Sequence, residues 1–326
     1  MTSSLAPLLS AISGLPGLAD IPRHRDSSDV VDIVAPTGLR APAVAIVGGE
    51  AAGAAPRLVI TSTAREADDV ATALGELVGA DRVATFPSWE TLPHERLSPR
   101  SDTVGRRLAV LRRLAHPDST GEGHGLPGFV VASVRAVLQP IAKGLADLEP
   151  VRLRVGDEAP LEEVTAALAA AAYVRTDLVE RRGEFAVRGG ILDVFPPTEE
   201  HPVRVELFGD TVDEIRWFKV ADQRSLEATE ELWAPPCREI LLTDAVRRRA
   251  ADLAAELPGV ADMLLKVAEG IAVEGMESLG PALVDGMESV LDVLPEGSGI
   301  VLVDPERVRA RAHDLVSTSE EFLQAS

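Results

Sequence analysis

The segment from residue 203 to residue 208 carries the side chains whose chemistry stands out first. Its sequence, Val-Arg-Val-Glu-Leu-Phe, alternates aliphatic residues with charged or aromatic ones. Successive side chains of a β-strand point to opposite faces, so the pattern predicts Arg204, Glu206 and Phe208 together on an outward face. Arginine and aromatic side chains are enriched among the residues that dominate protein–protein binding. The pattern therefore favours a docking surface; the alternative is that Phe208 packs under the turn that follows it and that Arg204 and Glu206 form an ordinary same-face pair.

A second segment with strand-like alternation, Glu184–Arg188, supplies a further arginine. The alternation places Arg188 on the face opposite Phe185 and Val187. If the two segments are neighbours in one sheet, Arg188 and Arg204 share a surface. The nearby arginines at positions 175, 181 and 182 are equally consistent with ordinary surface charges.

The glycine-rich stretch Gly48–Gly53 is where phosphate-binding chemistry would be expected. It follows an apolar run, Val44–Val47, that is typical of a buried strand, and it precedes the first predicted helix. A working P-loop needs a lysine for the β and γ phosphate oxygens and a Ser or Thr hydroxyl for magnesium, in addition to glycines. This stretch has neither, so we expect a degenerate P-loop with at most weak anion binding. A divergent nucleotidase that uses the loop is the enzymatic alternative.

Side chains for other kinds of chemistry are sparse. The six histidines never occur at a metal-ligand spacing, and the single cysteine, Cys237, excludes an internal disulfide and a cysteine-based zinc site. Paired carboxylates such as Glu162-Glu163 are typical of solvated faces rather than of an acid–base dyad. The sequence therefore predicts no catalytic residue, no metal and no cofactor.

The net charge limits the function classes that fit the chain. The 326 residues carry a net charge of −20, whereas phosphate binding requires basic patches. One predicted helix carries Arg106, Arg107, Arg112 and Arg113, which leaves a DNA-binding scaffold as an alternative. Neither a secretory signal nor an apolar run long enough for a membrane span occurs, and we expect a cytosolic protein.

The secondary structure elements that must position these residues are predicted from the spacing of apolar residues, and this spacing changes along the chain. Up to about residue 140, the strand-like segments Arg57–Thr61, Val83–Phe86 and Phe129–Ala132 alternate with amphipathic helices, which predicts a parallel α/β sheet. From about residue 150, two-residue alternation and glycine turns predict antiparallel hairpins. The strands predicted there are Val174–Glu180, Glu184–Arg188, Ile191–Phe195, Val203–Phe208 and Thr211–Val220.

A later segment, Gly299–Val303, has the character of the first sheet again. An inserted domain therefore interrupts the α/β domain. We predict an α/β domain over residues 1–139 and 237–326 and an inserted α+β domain over residues 140–236.

The inserted segment resembles a known family. The runs YVRTDLVERRGEFAVRGGILDVFPP and VRVELFGDTVDEIRWFKVADQRS are similar to the domain that UvrB shares with the transcription–repair coupling factors, the Mfd family. The stretch FPSWETLPHERLSPRSDTVGRRLAVLRRL, the degenerate glycine loop and the lack of a tyrosine-rich hairpin favour the coupling factors over UvrB. The resemblance implies a RecA-like domain with a degenerate P-loop, like domain 1 of UvrB, interrupted by a domain like domain 2 of UvrB.

The resemblance also implies a partner, because the shared domain docks onto UvrA in both proteins. The residues that match UvrA-contacting positions of the family are Arg188, Arg204, Glu206 and Phe208, with Arg175 as a further match. Ala186 is a departure, since UvrB has an arginine there. We expect a non-catalytic N-terminal part of a coupling factor that recruits UvrA to stalled transcription complexes for excision repair. Contacts with RNA polymerase and DNA, and the ATP-driven motor, would belong to regions beyond this chain, one of which could mask the UvrA surface.

Overall fold

The computed structural model describes residues 5–22, 30–49, 55–91, 97–119 and 125–325. The helices in these ranges are α1 Ala6–Ser13, α2 Arg40–Gly48, α3 Ala64–Val78, α4 Ser101–Ala115, α5 Val134–Leu138, α6 Leu161–Ala170, α7 Asp244–Glu256, α8 Ala261–Ala268, α9 Gly280–Leu283, α10 Val290–Val293 and α11 Pro305–Ala325. The strands are β1 Arg57–Thr61, β2 Val83–Phe86, β3 Phe129–Ser133, β4 Ile141–Ala142, β5 Val151–Arg154, β6 Val174–Arg175, β7 Glu184–Arg188, β8 Ile191–Val194, β9 Val203–Phe208, β10 Thr211–Phe218, β11 Ser225–Ala228, β12 Glu231–Ala234, β13 Met287–Glu288 and β14 Gly299–Leu302. Within the described ranges, no helix has the length and apolar character that a membrane crossing requires.

The chain divides into two compact units. Unit 1 comprises Met1–Ser88, Val110–Pro140 and Ser289–Ser326, and unit 2 comprises Trp89–Ala109 and Ile141–Glu288. Nearly all of the predicted inserted domain lies in unit 2. Unit 2 also holds residues 237–288, which the sequence analysis assigns to the α/β domain. The boundaries of the inserted domain stay a prediction.

Unit 1 is built on a four-stranded parallel sheet in the order β14-β1-β3-β2. Arg57 of β1 pairs with Phe129 of β3 and with Gly299 of β14, so the late strand joins the first sheet as expected. β3 is buried along its whole length, which is typical of parallel strands covered on both faces. Helix α3 begins at the N-cap Thr63 and buries Leu74 against this sheet. The predicted parallel α/β sheet is confirmed.

The predicted strand Val44–Val47 is wrong, because these residues belong to helix α2. A short apolar run does not distinguish a buried strand from a buried helix by periodicity alone. The glycines that follow have structural roles. A Cβ on Gly48 would lie 2.2 Å from Cζ of Phe129, and Gly49 ends the helix with φ of 75°. The described glycines therefore do not form a strand-to-helix turn of the P-loop kind; the remaining part of the predicted loop, residues 50–53, lies outside the described residues.

Unit 2 contains a six-stranded sheet in the order β11-β10-β9-β8-β7-β6. The strands β7 to β11 pair antiparallel, and β7–β8 and β9–β10 are predicted hairpins. Helix α6 and the two-stranded pair β5–β12 complete the core on one side of this sheet. The structure thus confirms an antiparallel region inserted in the sequence of the α/β unit.

The predicted strand Val174–Glu180 is wrong beyond Arg175. β6 ends there, and it runs parallel to β7 rather than as a hairpin partner. Farther along the predicted strand, Oε2 of Glu184 accepts hydrogen bonds from the backbone N–H groups of Glu180 and Arg181 at 2.8 and 2.9 Å. A side-chain oxygen of this kind competes with a neighbouring strand for the backbone N–H groups.

The helices α7 and α8 form a second core within unit 2. Val246 and Ala250 of α7 pack against Leu264 and Val267 of α8. This cluster is separate from the core beneath the six-stranded sheet. Helix α7 begins after the N-cap Thr243, whose side-chain oxygen accepts a hydrogen bond from the Val246 backbone N–H at 3.3 Å.

Candidate protein-docking surface

The six-stranded sheet of unit 2 has two chemically different faces. One face is packed on the core through side chains such as Phe185, Val205 and Ile215, which are almost fully buried. The residues that alternate with these core residues along β7 to β10 occupy the opposite face, called the outer face below. The polar residues of the outer face include Glu184, Arg188, Asp193, Arg204, Glu206, Thr211, Glu214 and Arg216.

Asp193 joins the two arginines that the sequence placed in different strands. β8 lies between β7 and β9, so Arg188 and Arg204 are not on adjacent strands. Arg204 donates through Nε to Asp193 Oδ1 at 2.7 Å and through Nη2 to Asp193 Oδ2 at 2.9 Å. Arg188 donates through Nη2 to the same Oδ2 at 2.5 Å. The two arginines thus lie on one surface, linked by a shared carboxylate.

Arg204 is held from two sides. Its guanidinium carbon lies 4.6 Å from the centre of the Phe218 ring, and its side chain is 14% exposed. The hydrogen bond to Asp193 outweighs the opposing effect of burial, and together with the charges of Asp193 and Glu206 it raises the pKa of the Arg204 guanidinium. Arg204 is therefore a fixed, permanently charged group whose edge reaches the outer face.

The charges of β9 and β10 are arranged in like pairs across the strands. Arg204 lies opposite Arg216 in register, and Glu206 lies opposite Glu214. Like charges at directly opposite positions are unfavourable in an isolated sheet. An ion pair between Arg216 and Glu214 along β10 offsets part of this repulsion. The result is a surface of mixed charge, which is the kind of surface that selects a complementary partner.

Phe208 is the most exposed large apolar side chain of the outer face. It ends β9 immediately before the turn to β10, and 86% of its surface is open to solvent. The alternative in which it packs under that turn is therefore wrong. A single exposed aromatic side chain beside fixed arginines has the composition of an interface hot spot.

Arg175 and Arg182 have different environments from the two linked arginines. Arg175 is exposed on the edge strand β6 and pairs in register with Phe185, a core-facing residue. Paired residues on neighbouring strands share a face, so Arg175 projects from the side of the sheet opposite Arg188. Arg182 donates to the carbonyl oxygen of Glu199 at 2.9 Å and so stabilises a local loop.

The sequence of this chain matches a known protein family. Residues 151–239 match the UvrB interaction domain. The transcription-repair-coupling factor of Mycobacterium tuberculosis is 53% identical over 309 residues, which are 91% of this chain and 25% of that protein. The chain corresponds to the N-terminal region of the transcription-repair-coupling factors. Similar proteins of this name from Myxococcus xanthus and Bacillus subtilis are 35% and 27% identical, over 77% and 82% of this chain and 22% and 24% of those proteins.

This chain spans about a quarter of the length of the coupling factors it matches. Its matched domain, residues 151–239, contains the whole outer face. The site described above therefore belongs to the part of a coupling factor that is a UvrB interaction domain.

The structure explains the alanine at position 186 of this coupling-factor segment. Ala186 is 1% exposed and packs with Val179, Phe195 and Phe218 in a small cluster on the outer face. A long side chain at this position would have to displace members of the cluster, including the ring on which Arg204 rests. The small residue is a packing requirement of this sheet.

The cavity nearest in character to a nucleotide site lies in unit 1, at the start of α2. Its volume is about 450 Å³, and Arg40, Glu66 and Arg307 are among its lining residues. Arg40 forms ion pairs with Glu66 at 3.2 Å and with Asp304 at 3.6 Å. Carboxylates of the chain itself already neutralise this arginine, so the cavity gives no support to the nucleotidase alternative.

The arginine-rich helix α4 gives similarly little support to a DNA-binding scaffold. The side chain of Arg107 is 0% exposed, and its Nε donates to Oε1 of Glu239 at 2.5 Å. Arg113 donates to the backbone oxygens of Asp81 and Gly125 at 2.8 and 3.1 Å. These arginines serve packing and leave a smaller basic surface than the sequence suggests.

Asp193, Glu214 and Arg216 also lie on the outer face, although they were not predicted as site residues from the sequence. Asp193 is a lone carboxylate within the otherwise apolar run Ile191–Phe195, and that contrast was an available signal. Glu214 and Arg216 flank the buried Ile215, which is the same alternation that singled out β9. The charged outer face therefore extends one strand further than predicted.

Proposed function

We propose that the outer face of this coupling-factor segment, with Phe208 at its end, docks a UvrA-type protein. The docking residues are Arg188, Arg204, Glu206 and Phe208. Arg175 projects from the other side of the sheet at its edge, so its proposed secondary contact is with a part of the partner that extends around strand β6. The observation that carries the proposal is the exposure of Phe208 at the end of the same face on which two arginines share a carboxylate.

The exposure of each residue suits a different role in such an interface. Phe208, at 86% exposed, can insert into an apolar pocket and lose most of its contact with water. Arg188 is 47% exposed and uses Nη2 for Asp193, so other N–H groups of its planar fork face solvent. Those donors suit a bidentate hydrogen-bonded pair with a carboxylate of the partner.

The docking domain of this proposal is residues 140–236, which hold the core beneath the six-stranded sheet except for Cys237, the residue immediately after them. The domain acts by binding, with no catalytic residue of its own. The α/β unit is a RecA-like frame that lacks nucleotide chemistry.

In a whole coupling factor, this segment recruits UvrA to stalled transcription complexes for transcription-coupled excision repair in the cytoplasm. Contacts with RNA polymerase and ATP-dependent translocation on DNA belong to other parts of such a factor. The relatives' shared name, transcription-repair-coupling factor, supports this role.

The proposal is tested by measuring the affinity of the purified chain for UvrA by biolayer interferometry. Phe208→Ala and Arg204→Ala should each weaken binding by about 2–5 kcal/mol, as expected when a central interface residue is truncated. Circular dichroism and thermal melting must accompany Arg204→Ala, because Arg204 also neutralises the buried Asp193.

Arg224→Ala is the matched control for these variants. Arg224 is a strongly exposed arginine of the same domain, between β10 and β11, and is paired only weakly with Asp222 at 3.5 Å. Its removal should leave UvrA affinity unchanged. Wild-type affinity in both Phe208→Ala and Arg204→Ala would sink the proposal.

A further inference from the structure

We infer that Asp193 is the positioning residue of the docking surface, which sets the two arginines in the geometry that the partner recognises. The inference rests on the proposed docking of a UvrA-type protein. Asp193 itself is 1% exposed, so it acts through Arg188 and Arg204 rather than by touching the partner.

The geometry around Asp193 is that of a two-arginine clamp. In register, Asp193 lies between Ala186 of β7 and Arg204 of β9. Three N–H groups reach its two oxygens: Nε and Nη2 of Arg204, at 2.7 and 2.9 Å, and Nη2 of Arg188, at 2.5 Å. The carboxylate therefore orients Arg204 in a bidentate manner and fixes one end of Arg188.

A carboxylate at this position is not what folding alone would select. Its neighbours in β8, Leu192 and Val194, are fully buried, and a buried ion pair is often replaceable by apolar side chains without loss of stability. An ion pair that is not needed for folding can instead serve to orient charged side chains for binding a partner. Here they hold two arginines at the surface of a sheet.

The charge balance of the clamp points toward an acidic partner group. One carboxylate is shared by two guanidinium groups, so the excess positive charge is local to Arg188 and Arg204, while Glu206 and Glu214 bring the outer face as a whole close to neutral. Phe218 covers one face of Arg204, while Arg188 remains half exposed. An incoming carboxylate would supply the missing negative charge, and the arginines would lose little further side-chain freedom because they are already ordered.

The partner group that fits this clamp is a carboxylate on the docking surface of the UvrA-type protein. A mobile arginine would have to be ordered during binding, and that ordering opposes association. Removing the Asp193 charge is therefore expected to weaken docking without removing any atom that touches the partner.

Two isosteric variants test the inference. Asp193→Asn keeps the shape and a polar side chain, and Asp193→Leu keeps the shape and makes the site apolar; both remove the charge. Each should lower UvrA affinity about tenfold, as expected for strongly coupled neighbouring side chains. Both variants leave the largely buried Arg204 without its carboxylate and should lower stability, so their UvrA affinities are measured at a temperature at which circular dichroism shows each variant to be folded.

A double-mutant cycle separates positioning from general stability. In the Arg188→Ala background, Asp193→Asn should lower UvrA affinity by clearly less than it does in the wild-type chain. Only Arg204 is then left for Asp193 to position. Val164→Ala, a truncation in helix α6 on the core side of the sheet, is the control for lost stability. It should lower the melting temperature and leave UvrA affinity unchanged.

Nuclear magnetic resonance of the arginine Nε–H groups reads out the positioning directly, with or without UvrA. The Arg204 Nε–H signal should be dispersed and slow to exchange in the wild-type chain, and should move to the position of a solvent-exposed arginine in Asp193→Asn. If the wild-type chain does not bind UvrA, the proposed function fails, whatever the Arg204 signal shows. If the wild-type chain binds and both Asp193 variants bind equally well, docking stands and the positioning role is overturned.

Discussion

The parallel sheet of unit 1 and the six-stranded sheet of unit 2 use their side chains for different purposes. β3 of the parallel sheet is buried at every position, with apolar side chains on both of its faces. β9 of the six-stranded sheet is buried at alternate positions at its start and exposed at its end. A strand covered on both faces, such as β3, contributes its side chains to the interior, whereas a sheet covered on one face has a second surface available for binding.

Two phenylalanines illustrate the difference. Phe129 begins β3 of the parallel sheet and is 0% exposed, while Phe208 ends β9 and is 86% exposed. The first is surrounded so closely that the neighbouring Gly48 has no room for a Cβ. The second contributes little to the interior. The same residue type thus supports folding in one unit and, in our proposal, partner binding in the other.

The ion pairs of the two units differ in the same way. In unit 1, Arg40 is paired with two carboxylates of the chain, Glu66 and Asp304. In unit 2, Asp193 is shared by two arginines, one of which is half exposed. In the first arrangement two carboxylates serve two arginines, since Glu66 also lies 3.8 Å from Arg307, whereas in the second one carboxylate is shared by two arginines. Charge alone therefore does not reveal a binding site; the balance of charge around each group does.

The largest expected effect on stability comes from Phe129→Ala in unit 1. Removing a fully buried phenylalanine should destabilise the fold by about 3–5 kcal/mol, through lost burial and an unfilled cavity. Hydrogen–deuterium exchange should show faster exchange in β1 and β3. If Phe129→Ala lowers the free energy of unfolding in urea by less than about 1 kcal/mol, Phe129 is not part of a closely packed interior.

A smaller effect is expected from Thr63→Ala, which removes the N-cap of α3. The Thr63 hydroxyl oxygen accepts a hydrogen bond from the Glu66 backbone N–H at 3.2 Å. Its loss should destabilise unit 1 by about 1 kcal/mol, the usual value for a helix cap. Thr63→Ser, which keeps the oxygen, is the control and should lie close to the wild-type chain. Equal stability of the alanine and serine variants would show that the cap contributes nothing.

A still smaller, pH-dependent effect is expected at Glu231, away from the outer face of unit 2. Burial raises the pKa of this carboxyl, but the hydrogen bonds and charges of Arg152 and Arg154 outweigh burial and leave the pKa below its ordinary value of 4.5. A depressed folded-state pKa contributes stability above the unfolded pKa, and that stability is lost as the pH falls through the folded pKa. Glu231→Gln should therefore melt earlier than the wild-type chain at neutral pH, and the difference should shrink below pH 4.5. A difference that stays constant down to pH 3 in calorimetry would contradict this account.

The smallest effect on stability is expected from Phe208→Ala, the counterpart of Phe129→Ala. An exposed side chain should change the free energy of unfolding by no more than about 0.5 kcal/mol. The same chemical change would then have opposite consequences in the two sheets, with stability lost in one and UvrA affinity lost in the other. A large loss of stability in Phe208→Ala would break the comparison on which the docking proposal rests.

Local patterns predicted much of both sheets. The two-residue alternation identified β7 and β9 to the residue, and the alternation of apolar segments with amphipathic helices identified the parallel sheet. The pattern was insufficient for Val44–Val47, since four apolar residues satisfy both a buried strand and a buried helix. It also failed at Val174–Glu180, where the strand ends at Arg175 and the backbone N–H groups of Glu180 and Arg181 bind the side chain of Glu184 instead.

The sequence by itself determined which side chains of β9 face outward, because the period of a strand is a local property. It also determined what the glycine stretch lacks, because the absence of a lysine there can be read directly. Only the tertiary structure decided that Arg188 and Arg204 act as a pair. Their link passes through Asp193 on the intervening strand, and strand order is set by contacts between segments distant in sequence. The same reason explains Gly48, whose missing side chain makes room for a ring that the sequence places far along the chain.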